Sequence, residues 1–135
     1  GAMAAAPESR VFCIVGDGAF QMTGTELSTA AKYGMNPIVF VLNNDGYGTQ
    51  RHILDGPFNN ILQWHYTDLT QMLGVGKSWQ VETNAQLEAA IQEASDHHEL
   101  CLIEVMIPRD DCSESLRRMG EELGKQRDVE KRSQS

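Results

Sequence analysis

The chain has 135 residues and a formal net charge of −8, with 19 acidic side chains against 11 basic ones. This length suits one domain, and 41% hydrophobic with 22% charged residues is typical of a globular protein and not of disorder. The acidic balance argues against nucleic acid as a partner, since phosphate backbones bind basic surfaces. No apolar run reaches the ~20 residues of a membrane span, so no membrane partner is expected.

The cysteines and the chain ends carry further expectations. Cys13, Cys101 and Cys112 lack the spacing of a metal site and cannot all pair, which favours a reducing, cytoplasmic setting. Cys13 and Cys101 lie in apolar runs and are predicted to be small buried side chains. Residues 1–6 are interpreted as a tag remnant and disordered lead of a single, partial domain, and residues 125–135 as its frayed polar tail.

Four apolar segments alternate with helical patterns along the chain. The segments 11–15, 38–42, 79–82 and 100–107 predict strands, and the first two have the continuous apolar character of strands buried on both faces. Strands that alternate with helices in this way form a parallel sheet flanked by helices, so we expect an α/β fold. Ligands of such sheets bind at the carboxyl ends of the strands.

Capping patterns predict where the helices begin and end. Thr23 with Glu26 matches a capping box that starts a helix ending near Gly34. Thr83 with Gln86 matches a second box, at the start of an amphipathic helix. The remaining predicted helices are one over 67–73 before Gly74 and one after Ser113.

Polar, glycine-containing loops follow the first two predicted strands. Gly16-Asp17-Gly18 follows the first strand, and Asn43-Asn44-Asp45-Gly46 opens a long loop, 43–60, with room for a short helical turn. Carboxylate and amide oxygens at neighbouring strand ends suit Mg²⁺, which favours one or two carboxylates with phosphate oxygens and water. Each motif alone is also an ordinary turn sequence. Their shared position after buried strands makes the pair more specific than either motif.

Several segments resemble one enzyme family. Gly16-Asp17-Gly18 followed by Asn43-Asn44 resembles the metal and diphosphate motif of thiamine diphosphate enzymes. The segments that resemble the pyruvate and indolepyruvate decarboxylase branch are Phe20–Thr23, Asn44–Tyr47, Asp55–Ile61 and Arg109–Cys112. The resemblance implies a thiamine diphosphate-binding fold truncated at its N-terminal side, the C-terminal part of the diphosphate-binding domain of 2-keto acid decarboxylases.

The resemblance also implies a cofactor site. Its cofactor-binding residues are Asp17, Gly18, Ala19, Asn44, Gly46 and Tyr47. It implies that Asp17 and Asn44 give side-chain oxygens to Mg²⁺ and Gly46 its carbonyl, with the metal bridging to the diphosphate. Gly18 and Ala19 are expected against that diphosphate, their backbone amides donating near the following helix. Relatives often carry a hydroxyl at the position of Ala19, so one phosphate contact is missing here.

Two departures from the family bear on catalysis. Gln50 stands where the family's decarboxylases usually place a glutamate that acts as an acid–base group near the reacting carbon. A carboxamide keeps the shape and the hydrogen bonding but delivers no titratable proton. The second departure is the pyrimidine-binding domain, whose activating glutamate has no counterpart in this chain.

Three hypotheses follow for the function. The first is a domain that binds thiamine diphosphate and Mg²⁺ and takes part in non-oxidative decarboxylation of a 2-keto acid once a pyrimidine-binding domain completes it. The second is a non-catalytic, self-associating remnant with weak or no cofactor binding. The third is one subunit of a split enzyme. The chain alone is expected to be catalytically incomplete, and its expected partner is a further copy of itself or a pyrimidine-binding domain on another chain.

Two kinds of residue stay outside these hypotheses. His52 and the pair His97-His98 are interpreted as structural or surface side chains. Glu104 interrupts the fourth apolar segment, and the sequence does not decide what its carboxylate faces.

Overall fold

The computed structural model describes the backbone of residues 1–133 and the side chains of residues 1–126. The strands are β1 (Phe12–Gly16), β2 (Ile38–Asn43), β3 (Lys77–Val81) and β4 (Cys101–Met106). The helices are α1 (Ala2–Ala5), α2 (Asp17–Thr23), α3 (Leu27–Lys32), α4 (Gly48–Arg51), α5 (Asp68–Leu73), α6 (Asn84–Asp96) and α7 (Glu114–Ser133). Short 3₁₀ turns cover Gly24–Glu26 and Pro57–Asn59.

The four strands form one parallel sheet in the order β1-β2-β4-β3. Successive side chains of a strand point to opposite faces, and the central strands β2 and β4 are apolar on both. One face packs against Ala90 and Ala94 of α6. The other packs against Phe20 of α2 and against Tyr66. Because helices cover both faces of the central strands, the predicted α/β fold with a parallel sheet is confirmed.

The first strand departs from the prediction of burial on both faces. β1 lies at the edge of the sheet, where Phe12 is 55% and Ile14 is 69% exposed. The prediction that Cys13 is buried is therefore wrong, whereas buried Cys101 in the central strand β4 is confirmed. An apolar run has the same sequence pattern in an edge strand and in a central strand. Only the strand order of the sheet distinguishes the two.

Helix boundaries follow the sequence signals with one exception. The capping box at Thr83 is confirmed, since Gln86 N donates to Thr83 Oγ1 at 3.3 Å and Thr83 N donates to Gln86 Oε1 at 3.1 Å. Ser113 caps α7 through Leu116 N, at 3.2 Å. The box predicted at Thr23 is wrong. Helix α2 already begins at Asp17, directly after β1, and the Thr23 side chain caps no helix.

Both chain ends contain helix. A single turn, α1, lies within the predicted lead 1–6 and buries no residue. Helix α7 runs on to Ser133, through most of the predicted polar tail 125–135. Residues 134–135 and the side chains beyond residue 126 lie outside the described part of the chain. The assignment of both ends therefore stays a prediction.

Two glycines of α7 differ sharply in the space around them. A Cβ at Gly120 would lie 2.6 Å from both the Cβ and the carbonyl oxygen of His52, whereas a Cβ at Gly124 would lie 3.8 Å from Ile53 O. Gly120 therefore brings α7 into direct contact with His52, the residue that follows α4.

We predict opposite effects on stability for alanine at these two positions. Alanine is the better helix former by about 1 kcal/mol, so Gly124→Ala should raise the free energy of unfolding by up to that amount. Gly120→Ala should lower it by about 1–2 kcal/mol, because overpacking against His52 outweighs the gain in helix propensity. Urea unfolding of both variants tests this. Equal stabilisation by the two substitutions would contradict the packing of α7 on α4.

Candidate functional site

The carboxyl ends of β1 and β2 meet at one edge of the sheet and open onto a cavity of about 350 Å³. Every residue that the sequence predicts for the site lines this cavity. The lining consists of Gly16, Asp17, Gly18, Ala19, Met22, Asn44, Gly46, Tyr47, Gly48, Thr49 and Gln50. The topology explains this convergence, since β1 and β2 are parallel neighbours and their following loops must lie side by side.

Asp17 joins the two loops through its carboxylate. The residue is 1% exposed, and it is the first residue of α2. Its Oδ1 accepts the amide of Gly18 at 2.8 Å, and its Oδ2 accepts the amide of Gly46 at 2.9 Å. Two amide donors offset part of the cost of burying a carboxylate. The bond to Gly46 ties the loop after β1 to the loop after β2.

Asn44 completes a set of oxygen atoms with Asp17 and Gly46. One of the two terminal atoms of its side-chain amide lies 2.9 Å from Gly46 O and 3.2 Å from Asp17 Oδ1. When the amide nitrogen occupies this position, it donates to both oxygens. When the amide is turned by half a revolution, three oxygens face one another, an arrangement that needs a cation at its centre. Hard divalent cations prefer such oxygens, so the residues fit a magnesium ion.

The turn that carries Asn44 and Gly46 has an unusual backbone. Asp45 has φ of 61° and Gly46 has φ of 127°. Such values suit glycine but cost a residue with a Cβ of the order of 1–2 kcal/mol. Gly46 is required for a second reason, because a Cβ there would lie 2.2 Å from Asn59 O. This turn, Asn44–Gly46, is called the ligand turn below.

Two arginines hold the ligand turn from outside. Arg51 is buried, and its guanidinium donates to Asn44 O at 3.2 Å and to Asp45 O in a shorter contact. Arg109 Nη1 donates to Asp45 Oδ2 at 2.9 Å, and Gln63 Nε2 donates to Asp45 Oδ1 at 3.0 Å. The carbonyl groups of Asn44 and Asp45 and the carboxylate of Asp45 are thus paired, and these contacts hold the shape of the turn.

Gly18 and Ala19 lie in the first turn of α2, where backbone amides have no backbone partner within the helix, and the Gly18 amide donates to Asp17 Oδ1. A Cβ at Gly18 would lie 2.6 Å from the ring of Tyr47, so the tyrosine packs directly on the glycine. Ala19 is exposed beside it. An anionic group that enters the cavity at this end meets amide donors and the positive end of a helix dipole.

Comparison with known proteins decides the family. Residues 1–105 match the family described as thiamine pyrophosphate enzyme, C-terminal TPP binding domain. The chain belongs to this family. The resemblance seen in the sequence is therefore confirmed, and the cofactor of the family is thiamine diphosphate.

Similar proteins narrow the branch of this thiamine diphosphate-binding family. Pyruvate decarboxylase 4 of Arabidopsis thaliana is 40% identical over 122 residues, which are 86% of this chain and 20% of the plant protein. Alpha-keto-acid decarboxylase of Mycolicibacterium paratuberculosis is 39% identical over 114 residues, which are 81% of this chain and 20% of that protein. The chain spans about a fifth of the length of these curated relatives.

A solved structure has the same fold. The thiamine diphosphate-dependent 4-hydroxybenzoylformate decarboxylase of Rhodococcus jostii RHA1 matches with a TM-score of 0.73 and 26% sequence identity. The match covers 82% of this chain and 22% of that chain. The match confirms that the chain has the fold of thiamine diphosphate-dependent enzymes.

Gln50 lies on α4, exposed at the wall of the cavity. Among the lining residues, only Asp17 and Tyr47 carry titratable side chains. His52, the histidine nearest to Gln50 in the sequence, packs against Gly120 and does not line the cavity. The described residues thus offer no replacement for a glutamate at the position of Gln50.

The pKa of Tyr66 is affected by two carboxylates. Burial raises the pKa of its phenol, and the negative charges of Asp17 and Glu104 raise it further, while a hydrogen bond from Gln21 opposes this. Gln21 Nε2 donates to the Tyr66 hydroxyl at 2.9 Å. Both carboxylates therefore contribute to the raised pKa of this phenol.

Sequence reasoning missed the residues that support the ligand turn. Arg51, Gln63 and Arg109 were given no role, although Arg109 lies in a segment that resembles the family. One signal was available, because a tight Asn-Asp-Gly turn leaves carbonyl oxygens that need donors. Arginine offers several donors in one fork. The sequence does not show which arginine supplies them.

We predict that alanine at Gly46 disrupts the ligand turn far more than alanine at another positive-φ glycine. Gly34 has φ of 62° with open space around a Cβ, so Gly34→Ala should cost about 1–2 kcal/mol of unfolding free energy. Gly46→Ala adds a clash with Asn59 O and should cost about 1–3 kcal/mol more. Denaturant titration measures both, and equal losses would contradict the tight packing of the turn.

Proposed function

We propose that this chain is the part of a 2-keto acid decarboxylase that binds the diphosphate of thiamine diphosphate through Mg²⁺. The reaction of the completed enzyme is non-oxidative decarboxylation to an aldehyde. The observation that carries the proposal is the convergence of Asp17, Asn44 and Gly46 oxygens at the ends of two parallel strands. Membership of the family and the names of the similar decarboxylases support the same assignment.

Three groups of this chain hold the metal in the proposed site. They are the carboxylate of Asp17, the side-chain oxygen of Asn44 and the carbonyl of Gly46. A bound Mg²⁺ would take its remaining ligands from the diphosphate and from water, which Mg²⁺ tends to keep. The ion also compensates the buried charge of Asp17. Asn44 binds it by turning its amide, because the same atoms otherwise form the hydrogen bonds described above.

The other end of the cavity receives the diphosphate. Ala19 lies in the first turn of α2 beside Gly18, whose amide already donates to Asp17 Oδ1, and Tyr47 forms the adjoining wall. The chain is acidic overall, so a diphosphate gains little from its general surface charge. The anion depends instead on the metal and on the first turn of α2. For this reason we expect cofactor binding to require Mg²⁺.

Catalysis is divided between this chain and groups outside it. Bound thiamine diphosphate supplies the electron sink that decarboxylation needs. The described residues bind and orient the cofactor, and Gln50 can orient a hydroxyl or a water at the cavity wall but cannot transfer a proton. Activation of the aminopyrimidine ring is assigned to a pyrimidine-binding domain outside this chain, so the chain alone is expected to be inactive.

The expected partner is a further copy of the chain or that pyrimidine-binding domain on another chain. The exposed apolar side chains of the edge strand β1 support association, because such an edge tends to pair. Within the described residues, no helix is both long and apolar enough to cross a membrane. The free cysteines fit the proposed cytoplasmic setting.

A second candidate function is a non-catalytic remnant that associates but binds cofactor weakly or not at all. Gln50 is the observation that favours it, since the cavity lacks the acid–base side chain of the decarboxylases. A split enzyme is a third arrangement, and it predicts a neighbouring gene for the pyrimidine-binding domain. Cofactor binding separates the first candidate from the second.

We predict that the chain binds thiamine diphosphate only when Mg²⁺ is present and that Asp17→Ala weakens this binding by about 100-fold or more, because it removes a metal ligand. Asp110→Ala is the matched control, since it removes an exposed carboxylate outside the cavity. Calorimetric titration measures both. A wild-type chain without saturable, Mg²⁺-dependent heat would favour the remnant, and equal binding by Asp17→Ala would refute the metal assignment.

We predict that Gln50→Glu raises aldehyde release once the chain is combined with a pyrimidine-binding domain. An added acid–base group is worth about 10²–10⁴-fold, and the gain should depend on pH because the new carboxyl titrates. Thr49→Glu is the control, since it places a carboxyl one residue away in the same wall. The assay uses a panel of 2-keto acids. An unchanged rate with Gln50→Glu would contradict the role given to this position.

A further inference from the structure

Glu104 is a buried carboxylate in the middle of the sheet. It is 3% exposed, and its neighbours in register are Val41 of β2 and Gln80 of β3. The residues before it in β4 are apolar and buried. Burying a carboxylate is costly unless hydrogen bonds hold it. An apolar residue would fill this place at lower cost, so the contacts of Glu104 need an explanation beyond packing.

The carboxylate is bound to the last residue of β2. Asn43 Nδ2 donates to Glu104 Oε1 at 2.7 Å, and Asn43 is itself only 5% exposed. The other end of the same amide turns toward the site, where Asn43 Oδ1 accepts the backbone amide of Asp45 at 3.2 Å. The Asn43 side chain therefore connects Glu104 to the ligand turn.

The chemistry of Glu104 decides which way the Asn43 amide points. An ionised carboxylate only accepts hydrogen bonds, so it must face the NH₂ end of the amide. That leaves the oxygen of Asn43 for the Asp45 amide. In the opposite orientation of the amide, the NH₂ group of Asn43 would face the N–H of Asp45, and the oxygen of Asn43 would face the carboxylate of Glu104. Glu104 thus fixes an acceptor under the residue that has the strained φ of 61°.

We propose that Glu104 is a positioning residue that acts through Asn43 to hold the ligand turn in the shape that presents Asn44 and Gly46 to the metal. The proposal deepens the proposed function and rests on it for the identity of the ligand. It does not depend on that function for the shape of the turn, which the hydrogen bonds of Asn43 and Arg51 hold.

A merely structural role for Glu104 makes a different prediction. If the residue only filled the core, its replacement would change global stability and the site would change in proportion. A positioning residue separates the two effects. Methionine has a similar length and no charge, but it leaves the buried Nδ2 of Asn43 without an acceptor, so Glu104→Met should lower global stability modestly. The ligand turn should be freed by more than this loss of stability accounts for.

The test compares the full chain with its Glu104→Met and Glu104→Gln variants. Amide hydrogen exchange of Asp45 and Gly46 is measured by NMR without ligand, and binding of thiamine diphosphate with Mg²⁺ is measured by calorimetry. In Glu104→Met we expect exchange at these two amides to accelerate by about tenfold or more beyond any change at the amides of β2 and β4, with unfolding free energy modestly lowered. Cofactor affinity should fall by about 10- to 100-fold, as for other residues that support metal ligands.

Glu104→Gln is the conservative rescue. Its carboxamide oxygen can still accept from Asn43 Nδ2, so exchange and affinity should both stay within about threefold of wild type. If Glu104→Met fails to fold, the double variant Asn43→Leu with Glu104→Met replaces both partners by apolar side chains, a change that is often nearly neutral for stability. It still removes the acceptor for Asp45, so fast exchange at Asp45 is again expected.

Two results would overturn the proposal. One is unchanged exchange at Asp45 and Gly46 in the folded Glu104→Met or double variant. The other is faster exchange spread evenly over β2 and β4 with a matching loss of global stability, since that is the signature of a structural residue. A wild-type chain that binds no cofactor would refute the proposed function alone, because the exchange measurement needs no ligand.

Discussion

Asp17 accepts hydrogen bonds from both strand-end loops through one buried carboxylate, and the geometry of the site depends on this arrangement. Its bond to Gly46 sets the distance between the loops, and its bond to Gly18 sets the first turn of α2. A buried carboxylate is tolerated only where donors or a cation surround it. The structure supplies two donors, and the nearby amide of Asn44 can give a third or make room for a cation.

Support for this arrangement comes from parts of the chain that touch no ligand. Arg51 and Arg109 bind the outer side of the ligand turn, and Glu104 reaches its inner side through Asn43. The turn is thus enclosed by charged groups in a chain whose overall composition is acidic. The placement of these few charges matters more for the site than the net charge, which describes the general surface.

The sequence was informative where a feature depends on neighbours in the chain. The apolar runs of β2 and β4, the capping box at Thr83 and the polar residues after the first two strands were all predicted. It failed where the outcome depends on distant segments. Burial of Cys13 requires a second neighbour for β1, and the contacts of Arg51 and Glu104 join segments that no local pattern relates. The residues Thr23 and Glu26 match the capping-box pattern, but α2 begins earlier, at Asp17, and the Thr23 side chain caps no helix.

The strand order also sets the order in which the site can assemble. Asp17 and Gly46 belong to adjacent strands and lie 29 residues apart, so a chain that has folded only β1 and β2 can already join them. Strand β4 comes later in the chain than β3 and yet lies between β2 and β3. Glu104 therefore reaches Asn43 only when this last strand has been inserted. Completion of the sheet is therefore what connects Glu104 to the ligand turn.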